Sequence, residues 1–326
     1  MNRIRRNLAA MSLVAGLAWA GGAPAQGIGS RPVRMIVPFA AGGVVDVVAR
    51  AVAQELGQAY GQPVIVDNRV GANGNIGMEA CSKSAPDGNT LCIATGVIVS
   101  LNPFAYAKMP FDPERDLVPV VHVGTLDITI AVNASLPVNS VRELVDYAKS
   151  KPGIVTWSSL GLGSTAHLYM EWLHARTGAA FNHIPYKGQP PMVQAAVSGE
   201  VNVTMLPPGA VLPLVQNGRL KVVAMMSGKK RSSIMPDVPT FLEQGYDLDF
   251  RNWIGVLLPK GAASETVRRL NADFNRLLAE PKFADRYMTS MGVTPTGGTP
   301  EEFTAFLKTN RETAGELAKI AKLRLD

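Results

Sequence analysis

Cysteine, histidine, aromatic residues and charged residues are all scarce in this chain. Its 326 residues include two cysteines and four histidines, with 6% aromatic and 18% charged residues. Neither cysteines nor histidines show the close spacing of metal ligands, so no metal site is expected. The formal charge of +6 comes from scattered lysines and arginines. Because no basic stripe with interleaved aromatic residues is present, nucleic acid is not an expected partner.

Long apolar runs are also missing, except near the N-terminus. Residues 8–19 form an apolar run that follows three arginines and precedes the small-x-small pattern Ala23-Pro24-Ala25. This order predicts a secretory signal peptide over residues 1–25, cleaved after Ala25, and therefore a periplasmic location. The run is short for a membrane span. A retained N-terminal anchor is the alternative interpretation.

Export bears directly on Cys81 and Cys92. An oxidising compartment permits a disulfide between them. Both residues nevertheless lie in apolar segments, where cysteine also serves as a small core residue. The sequence alone leaves both interpretations open.

The order of the predicted elements indicates an α/β fold with two lobes. A mature chain of about 300 residues exceeds one small core, so two domains are expected. Strand-like and helix-like runs alternate from residue 33 onward, which is typical of βαβ units and mainly parallel sheets flanked by helices. We assign 26–130 to the first lobe and 131–228 to the second. Residues 229–326 are expected to return to the first lobe and to end in helices.

Two segments have weaker patterns. Residues 96–106 follow the third predicted strand and are expected to form a loop at its end. After a long predicted helix over 264–280, the closing helices are expected to have no second sheet of their own and to pack on the first lobe.

Glycine-rich loops connect predicted strands to predicted helices in both halves of the chain. They contain Gly42-Gly43, the stretch 71–77 and Gly161-Leu162-Gly163. Glycine allows close backbone approach, and the first N–H groups of a helix have no intrahelical partner, so such places attract anions. The alternative is that glycine serves only the turn.

The chemistry of these loops favours binding over catalysis. The dinucleotide pattern G-x-G-x-x-G is incomplete, and the lysine of a phosphate-binding loop is absent, so no cofactor is expected. A hydrolase based on Ser164 and His167 lacks the G-x-S-x-G pattern. Two lobes that each present N–H groups and hydroxyls across a cleft can hold an anion and release it by opening.

Several motifs, in this order, make the chain resemble the extracytoplasmic solute receptors of tripartite tricarboxylate transporters, the TctC or Bug family. The resemblance extends from about Arg31 to the C-terminus. The motifs are Pro38-Phe39-Ala40-Ala41-Gly42-Gly43-x-x-Asp46 with Ala49-Arg50, Asn68-Arg69-x-Gly71-Ala72-Asn73-Gly74-Asn75-Ile76-Gly77, Ala85-Pro86-Asp87-Gly88, Gly161-x-Gly163-Ser164-x-x-His167-Leu168, His183-x-Pro185-Tyr186-Lys187-Gly188, Lys230-Arg231-Ser232 and Pro236-Asp237-Val238-Pro239-Thr240.

The resemblance implies a type II periplasmic-binding-protein fold with the ligand cleft between the lobes. It implies a monomeric receptor that passes a small carboxylate to membrane permease subunits; a sensor for a membrane signalling partner is the alternative. The implied ligand-binding residues are Phe39, Ala41, Gly42, Gly43, Val44, Asp46, Thr95, Ser158, Leu162, Gly163, Ser164 and His167. Among them, Asp46 is expected to cap the helix or hold loop N–H groups rather than to touch a carboxylate.

Departures from the family pattern bear on the ligand. Val44 and Leu162 stand where polar residues are common in the family, which favours an aromatic or aliphatic mono- or dicarboxylate over citrate. The alternative is that both side chains pack inward. Arg251 is expected to be either a solvated strand residue or a partner for a second carboxylate. Aromatic residues near the second glycine loop are interpreted as core residues unless they face the cleft, namely Tyr169, Trp172 and Tyr186.

Overall fold

The computed structural model describes residues 32–325. The predicted signal peptide and its cleavage after Ala25 lie outside the described residues. Within 32–325 the strands are β1 (Val33–Val37), β2 (Val64–Asn68), β3 (Thr90–Thr95), β4 (Leu117–Leu126), β5 (Ile128–Asn133), β6 (Thr156–Ser159), β7 (Asn182–Pro185), β8 (Val203–Leu206), β9 (Leu220–Met226), β10 (Asn252–Pro259) and β11 (Val293–Gly297).

The helices of the same region surround these strands. They are α1 (Val44–Tyr60), α2 (Asn75–Ser82), α3 (Asn102–Ala105), α4 (Val141–Ser150), α5 (Thr165–Thr177), α6 (Gln189–Ser198), α7 (Pro208–Gln216), α8 (Ser264–Leu278), α9 (Pro281–Tyr287) and α10 (Pro300–Ile320). Among the described residues, none of the helices combines the length and the apolar character needed to cross a membrane.

The strands form two sheets, which confirms the two-lobed α/β fold. The first sheet has the order β11-β4-β10-β3-β1-β2, and with its flanking helices it is called lobe 1. The second has the order β7-β6-β8-β5-β9, and with α4 to α7 it is called lobe 2. Apolar residues of β1 are buried on both faces because helices cover the sheet from both sides.

Each sheet contains both parallel and antiparallel pairs. β1 pairs in parallel with β2 and β3, and β6 pairs in parallel with β7 and β8. These strands are joined by crossover helices, which produce parallel neighbours. β10 is antiparallel to β3 and β4 because it enters lobe 1 from lobe 2. The antiparallel pairs therefore belong to the strands at the passages between the lobes.

Within residues 32–325 the chain passes between the lobes twice, and the two passages lie side by side. β4 continues through Asp127 into β5, and the returning chain enters lobe 1 at Asn252, the first residue of β10. Asn252 pairs with Leu126, the last residue of β4. Two adjacent connections of this kind allow one lobe to rotate relative to the other.

One local expectation was wrong, and one strand was not predicted. Residues 96–106 are not a loop: Val97–Leu101 form one turn of π-helix that continues into α3. Burial of this apolar run favours a helical turn, whose backbone groups are paired internally. The strand that was not predicted is β11, which pairs with β4 at the edge of the lobe 1 sheet. Its Pro295 is tolerated because an edge strand leaves one side of the ladder unpaired.

Cys81 of α2 and Cys92 of β3 form a disulfide, which decides the question that the sequence left open. Their Cα atoms are 5.7 Å apart, and both residues are fully buried. They pack among apolar residues of lobe 1 such as Ile36 and Met78. The bridge therefore attaches α2 to the central part of the sheet.

Candidate functional site

A cavity of about 110 Å³ lies between the lobes, at the ends of strands and the starts of helices. Lobe 1 and the returning strand line it with Phe39, Ala40, Gly43, Val44, Val45, Asn73, Thr95, Val97, Leu126, Asn252 and Trp253. Lobe 2 lines it with Ile128, Leu160, Ser164, Thr165, Ala166, Gly188, Gln189, Met192 and Met205. Among these lining residues none carries a formal charge.

The N-terminus of α1 forms one wall of the cavity. β1 ends before Pro38, the chain turns through Gly42 at φ +83°, and Gly43 is the N-cap of α1. Gly43 offers no side-chain oxygen to the first N–H groups of the helix. These groups therefore remain available to other acceptors, and the helix dipole makes the position favourable for negative charge.

Asp46 holds this loop from behind and does not line the cavity. It is only 2% exposed, and its carboxylate accepts hydrogen bonds from Gly42 N at 3.0 Å, Arg50 Nε at 2.9 Å and Asn68 Nδ2 at 2.8 Å. Asn68 Nδ2 also donates to the carbonyl oxygen of Phe39 at 3.0 Å. The carboxylate thus fixes the loop geometry that presents the α1 N–H groups.

The environment of Asp46 lowers the pKa of its carboxyl group. Burial opposes ionisation, but hydrogen bonds from Arg50, Gly42 and Asn68, together with the charge of Arg50, outweigh it. Because the folded-state pKa lies below the unfolded one, the ionised carboxylate stabilises the fold above the unfolded pKa. That contribution is lost as the pH falls through the folded-state value.

Replacing Asp46 by asparagine is expected to lower the free energy of unfolding at pH 7 by about 1–3 kcal/mol, because charged hydrogen bonds to Arg50 and Gly42 are lost. The difference from wild type should shrink as the pH falls below the unfolded-state pKa of 3.8 toward the lower folded-state pKa, because the stabilising effect of the ionised carboxylate is lost over that range. Urea unfolding at pH 7 and at a series of acidic pH values measures this. Asp67→Asn, at a more exposed pair with Arg34, is the control and should cost less; equal losses for both variants would contradict the assigned role.

The N-terminus of α5 forms the wall provided by lobe 2. Ser164 is the N-cap, and its Oγ accepts from His167 N at 3.4 Å. Gly163 has φ +77°, and a side chain there would collide with Leu325. The next two residues, Thr165 and Ala166, line the cavity at the first helical positions. A second set of helix N–H groups thus opens on the same space.

His167 supports this loop as a neutral imidazole. Its Nδ1 accepts from Gly163 N at 3.1 Å, and its ring lies 4.7 Å from that of His183. Burial, together with the neighbouring His183, lowers the pKa of His167 to about 4. The imidazole is engaged with Gly163 rather than with the hydroxyl of Ser164, so this geometry does not activate Ser164 as a nucleophile.

Gln189 links the two lobes across the cavity. It is the first residue of α6, and its Oε1 accepts from Val44 N at 3.0 Å. An amide oxygen of lobe 2 thus occupies the first N–H group of α1. Gln189 is not among the residues predicted for the site, because one glutamine at the start of a helix belongs to no recognisable motif.

The predicted site residues fall into two groups. Five of them line the cavity, namely Phe39, Gly43, Val44, Thr95 and Ser164. The others lie behind or beside it, namely Ala41, Gly42, Asp46, Ser158, Leu162, Gly163 and His167. Ser158 is fully buried and its hydroxyl donates to Thr204 Oγ1 at 2.9 Å, whereas Leu162 is 56% exposed. Of the two departures from the family pattern, only Val44 contributes an apolar wall.

Arg251 and three aromatic residues, for which the sequence left a ligand-binding role open, do not line the cavity. Arg251 lies outside the cavity lining, with Nη2 3.9 Å from Asp127 Oδ1 at the passage between the lobes. Tyr169 and Trp172 pack against Phe241 in the core. Tyr186 donates its hydroxyl to Glu200 at 2.7 Å. Among the described residues no cluster of metal-ligating side chains is found.

Comparison with known proteins agrees with this architecture. The model of the tripartite tricarboxylate transporter family receptor matches residues 48–323. The chain is 38% identical to Protein BugT of Bordetella pertussis over 284 residues, which are 85% of each chain.

Solved structures with the same fold include periplasmic proteins. An R. palustris protein, Rpa4515 with adipate, has a TM-score of 0.85 and 32% identity, with 91% of this chain and 99% of that chain covered. The periplasmic binding protein BugD has a TM-score of 0.83 and 30% identity, with 91% of this chain and 100% of that chain covered. The chain belongs to the TctC family of tripartite tricarboxylate transporter receptors, whose members are solute-binding receptors and not enzymes.

Proposed function

We propose that this protein is exported to the periplasm, captures a small carboxylate with an apolar body and delivers it to permease subunits of a tripartite tricarboxylate-type transporter. The observation that carries the proposal is the meeting of two helix N-termini, those of α1 and α5, at one uncharged cavity between the lobes.

The electrostatics of the cavity suit a carboxylate. A buried anion is costly unless hydrogen-bond donors surround it. The first-turn N–H groups at Val45, Thr165 and Ala166 provide donors with aligned dipoles, and the hydroxyl of Ser164 adds one that can rotate. Such neutral donors bind the carboxylate without a cationic side chain, whose desolvation in the closed cleft would be costly.

The remaining walls suit an aliphatic or aromatic body. Val44, Leu126, Ile128 and Met205 present apolar surface to the cavity. Removing apolar ligand surface from water stabilises the complex by about 25 cal/mol per Å². A hydroxyl-rich ligand such as citrate would lose its water contacts against these walls. The adipate in the related structure has the aliphatic body that this lining favours.

A thermal-shift series across aliphatic and aromatic mono- and dicarboxylates tests the binding function. The melting temperature is expected to rise with ligand concentration, because a ligand that binds only the folded state stabilises it in proportion to the logarithm of its concentration over Kd. The absence of a shift with every carboxylate would overturn the proposal. Delivery is tested separately: deletion of the permease genes should abolish uptake, and intact uptake would favour a sensing role.

Ser164→Ala is expected to weaken carboxylate binding about tenfold and to lower stability by about 1 kcal/mol, because both a ligand donor and the N-cap of α5 are lost. Calorimetric titration and urea unfolding measure the two effects. Ser140→Ala is the matched control, since Ser140 caps α4 by accepting from Glu143 N at 3.1 Å, outside the cavity lining. It should cost similar stability and leave affinity unchanged. Equal affinities of both variants would exclude Ser164 from the ligand site.

A further inference from the structure

Two side chains that line the cavity hold polar atoms without a hydrogen-bond partner. They are Oγ1 of Thr95 and Nδ2 of Asn252, both buried, and neither has a partner among the described residues. Thr95 as a whole is 7% exposed. An unpaired buried polar group destabilises a protein, so such groups normally have a hydrogen-bond partner in its working state.

The sheet places these two atoms on one face. Thr95 of β3 pairs with Ile254 of β10, and Asn252 lies two residues before Ile254 on the same strand. Side chains two residues apart on a strand point to the same face, and so do directly paired residues. Asn252 Oδ1 accepts from Thr165 Oγ1 at 2.7 Å. This bond leaves the amide nitrogen as the unpaired end.

The residues around this pair provide no positive charge for an anion. Among the residues that line the cavity none is cationic. Arg251, next to Asn252 in the chain, lies outside the lining and faces the carboxylate of Asp127. A second buried carboxylate would therefore meet two neutral donors, no counter-charge and the repulsion of the first carboxylate in the same cavity of about 110 Å³. An uncharged oxygen pays a much smaller desolvation cost at the same position.

We propose that Thr95 and Asn252 form a subsite for an uncharged, oxygen-bearing group on the apolar body of the ligand. The inference rests on the proposed function, because the helix N-termini take the carboxylate. The preferred ligand is then a monocarboxylate with a neutral polar end rather than a dicarboxylate. A primary amide fits both side chains: its carbonyl oxygen accepts from Asn252 Nδ2, and its nitrogen donates to Thr95 Oγ1.

Three probes of equal chain length test the subsite: hexanoate, adipate and adipate monoamide. Calorimetric titration of the wild type is expected to give an affinity for the monoamide about tenfold above those for hexanoate and adipate. The series is repeated with the corresponding acids of four to eight carbons, so that a different ligand length does not hide the preference. Thr95→Val and Asn252→Leu should each lower the ratio of the monoamide affinity to the hexanoate affinity, measured within the same variant, from about tenfold toward one.

The outcomes separate this inference from the proposed function. Hexanoate binding without a preference for the amide, or an amide preference that persists in both variants, would overturn the subsite alone. The tightest binding of adipate in the wild type would show that the cavity accepts a second charge, which also overturns it. If no carboxylate of any length binds, both the proposed function and the subsite fail. Thr95→Val is nearly isosteric, so its folding is checked by an unchanged melting temperature.

Discussion

Gly43→Val is expected to abolish carboxylate binding, by at least a hundredfold, in a protein that remains folded. Gly43 has φ −84° and ψ 165°, an extended conformation that valine adopts without strain. A Cβ atom at this position would lie 3.1 Å from Oε1 of Gln189, and the added methyl groups would project into the space between the lobes. The substitution therefore blocks the approach of a carboxylate to the N-terminus of α1 and leaves the helix intact.

A graded series tests this result by calorimetric titration and circular dichroism. Gly43→Ala should weaken binding less than Gly43→Val, because a single methyl group requires only a small shift of the Gln189 side chain. Gly57→Ala lies in the same helix, outside the cavity lining, and serves as the control with unchanged affinity. If Gly43→Val binds the carboxylate as tightly as wild type does, the N-terminus of α1 is not part of the binding site.

Loss of the disulfide is expected to produce the largest change in stability. The Cys81–Cys92 bridge closes a loop with a sequence separation of 11, and cross-links over loops of this size stabilise proteins by about 2–4 kcal/mol. The double variant Cys81→Ala, Cys92→Ala should unfold at correspondingly lower urea concentration. Carboxylate affinity should stay within about twofold, since neither cysteine lines the cavity.

Wild-type protein treated with reductant provides the control for this variant. It should unfold at nearly the same urea concentration as the double variant, because both lack the cross-link. Two equal midpoints for oxidised wild type and the double variant would show that the bridge adds nothing to stability.

The loops of the site were predictable because their determinants are local. Pro38 ends a strand, two glycines make the turn and Asp46 falls in the first turn of the next helix, all within one short stretch. The role of Asp46, whose carboxylate accepts from Gly42 N and does not line the cavity, also follows from electrostatics, since a carboxylate is not expected to face an anion. The cap at Ser164 has an equally local signal.

The partners across the cleft were not predictable from pattern. Gln189 and Asn252 come into the cavity only because the passages between the lobes bring α6 and β10 to that position, and neither residue belongs to a motif. The position of Ser158 also depends on tertiary structure. It is followed by a glycine loop, yet its side chain points toward β8, where Thr204 binds it.

Two segments were not predicted correctly, Val97–Leu101 and β11, because their structure also depends on tertiary contacts. Val97–Leu101 is apolar except for Ser100, so this short run has no helical periodicity, and only its burial makes the helical turn favourable. β11 was not predicted, because its sequence Val293–Gly297 contains Pro295 and Gly297 and has little apolar character. In both cases the decisive interaction is with residues distant in sequence.

The disulfide also makes the protein suitable for site-specific labelling. Both cysteines of the chain are bridged and buried, so the oxidised protein has no free thiol. A cysteine introduced at the exposed Leu162, in the loop that leads to the N-cap of α5, would therefore be the single thiol open to a maleimide dye. An environment-sensitive fluorophore at that position is expected to report binding of the proposed carboxylate as a change in fluorescence.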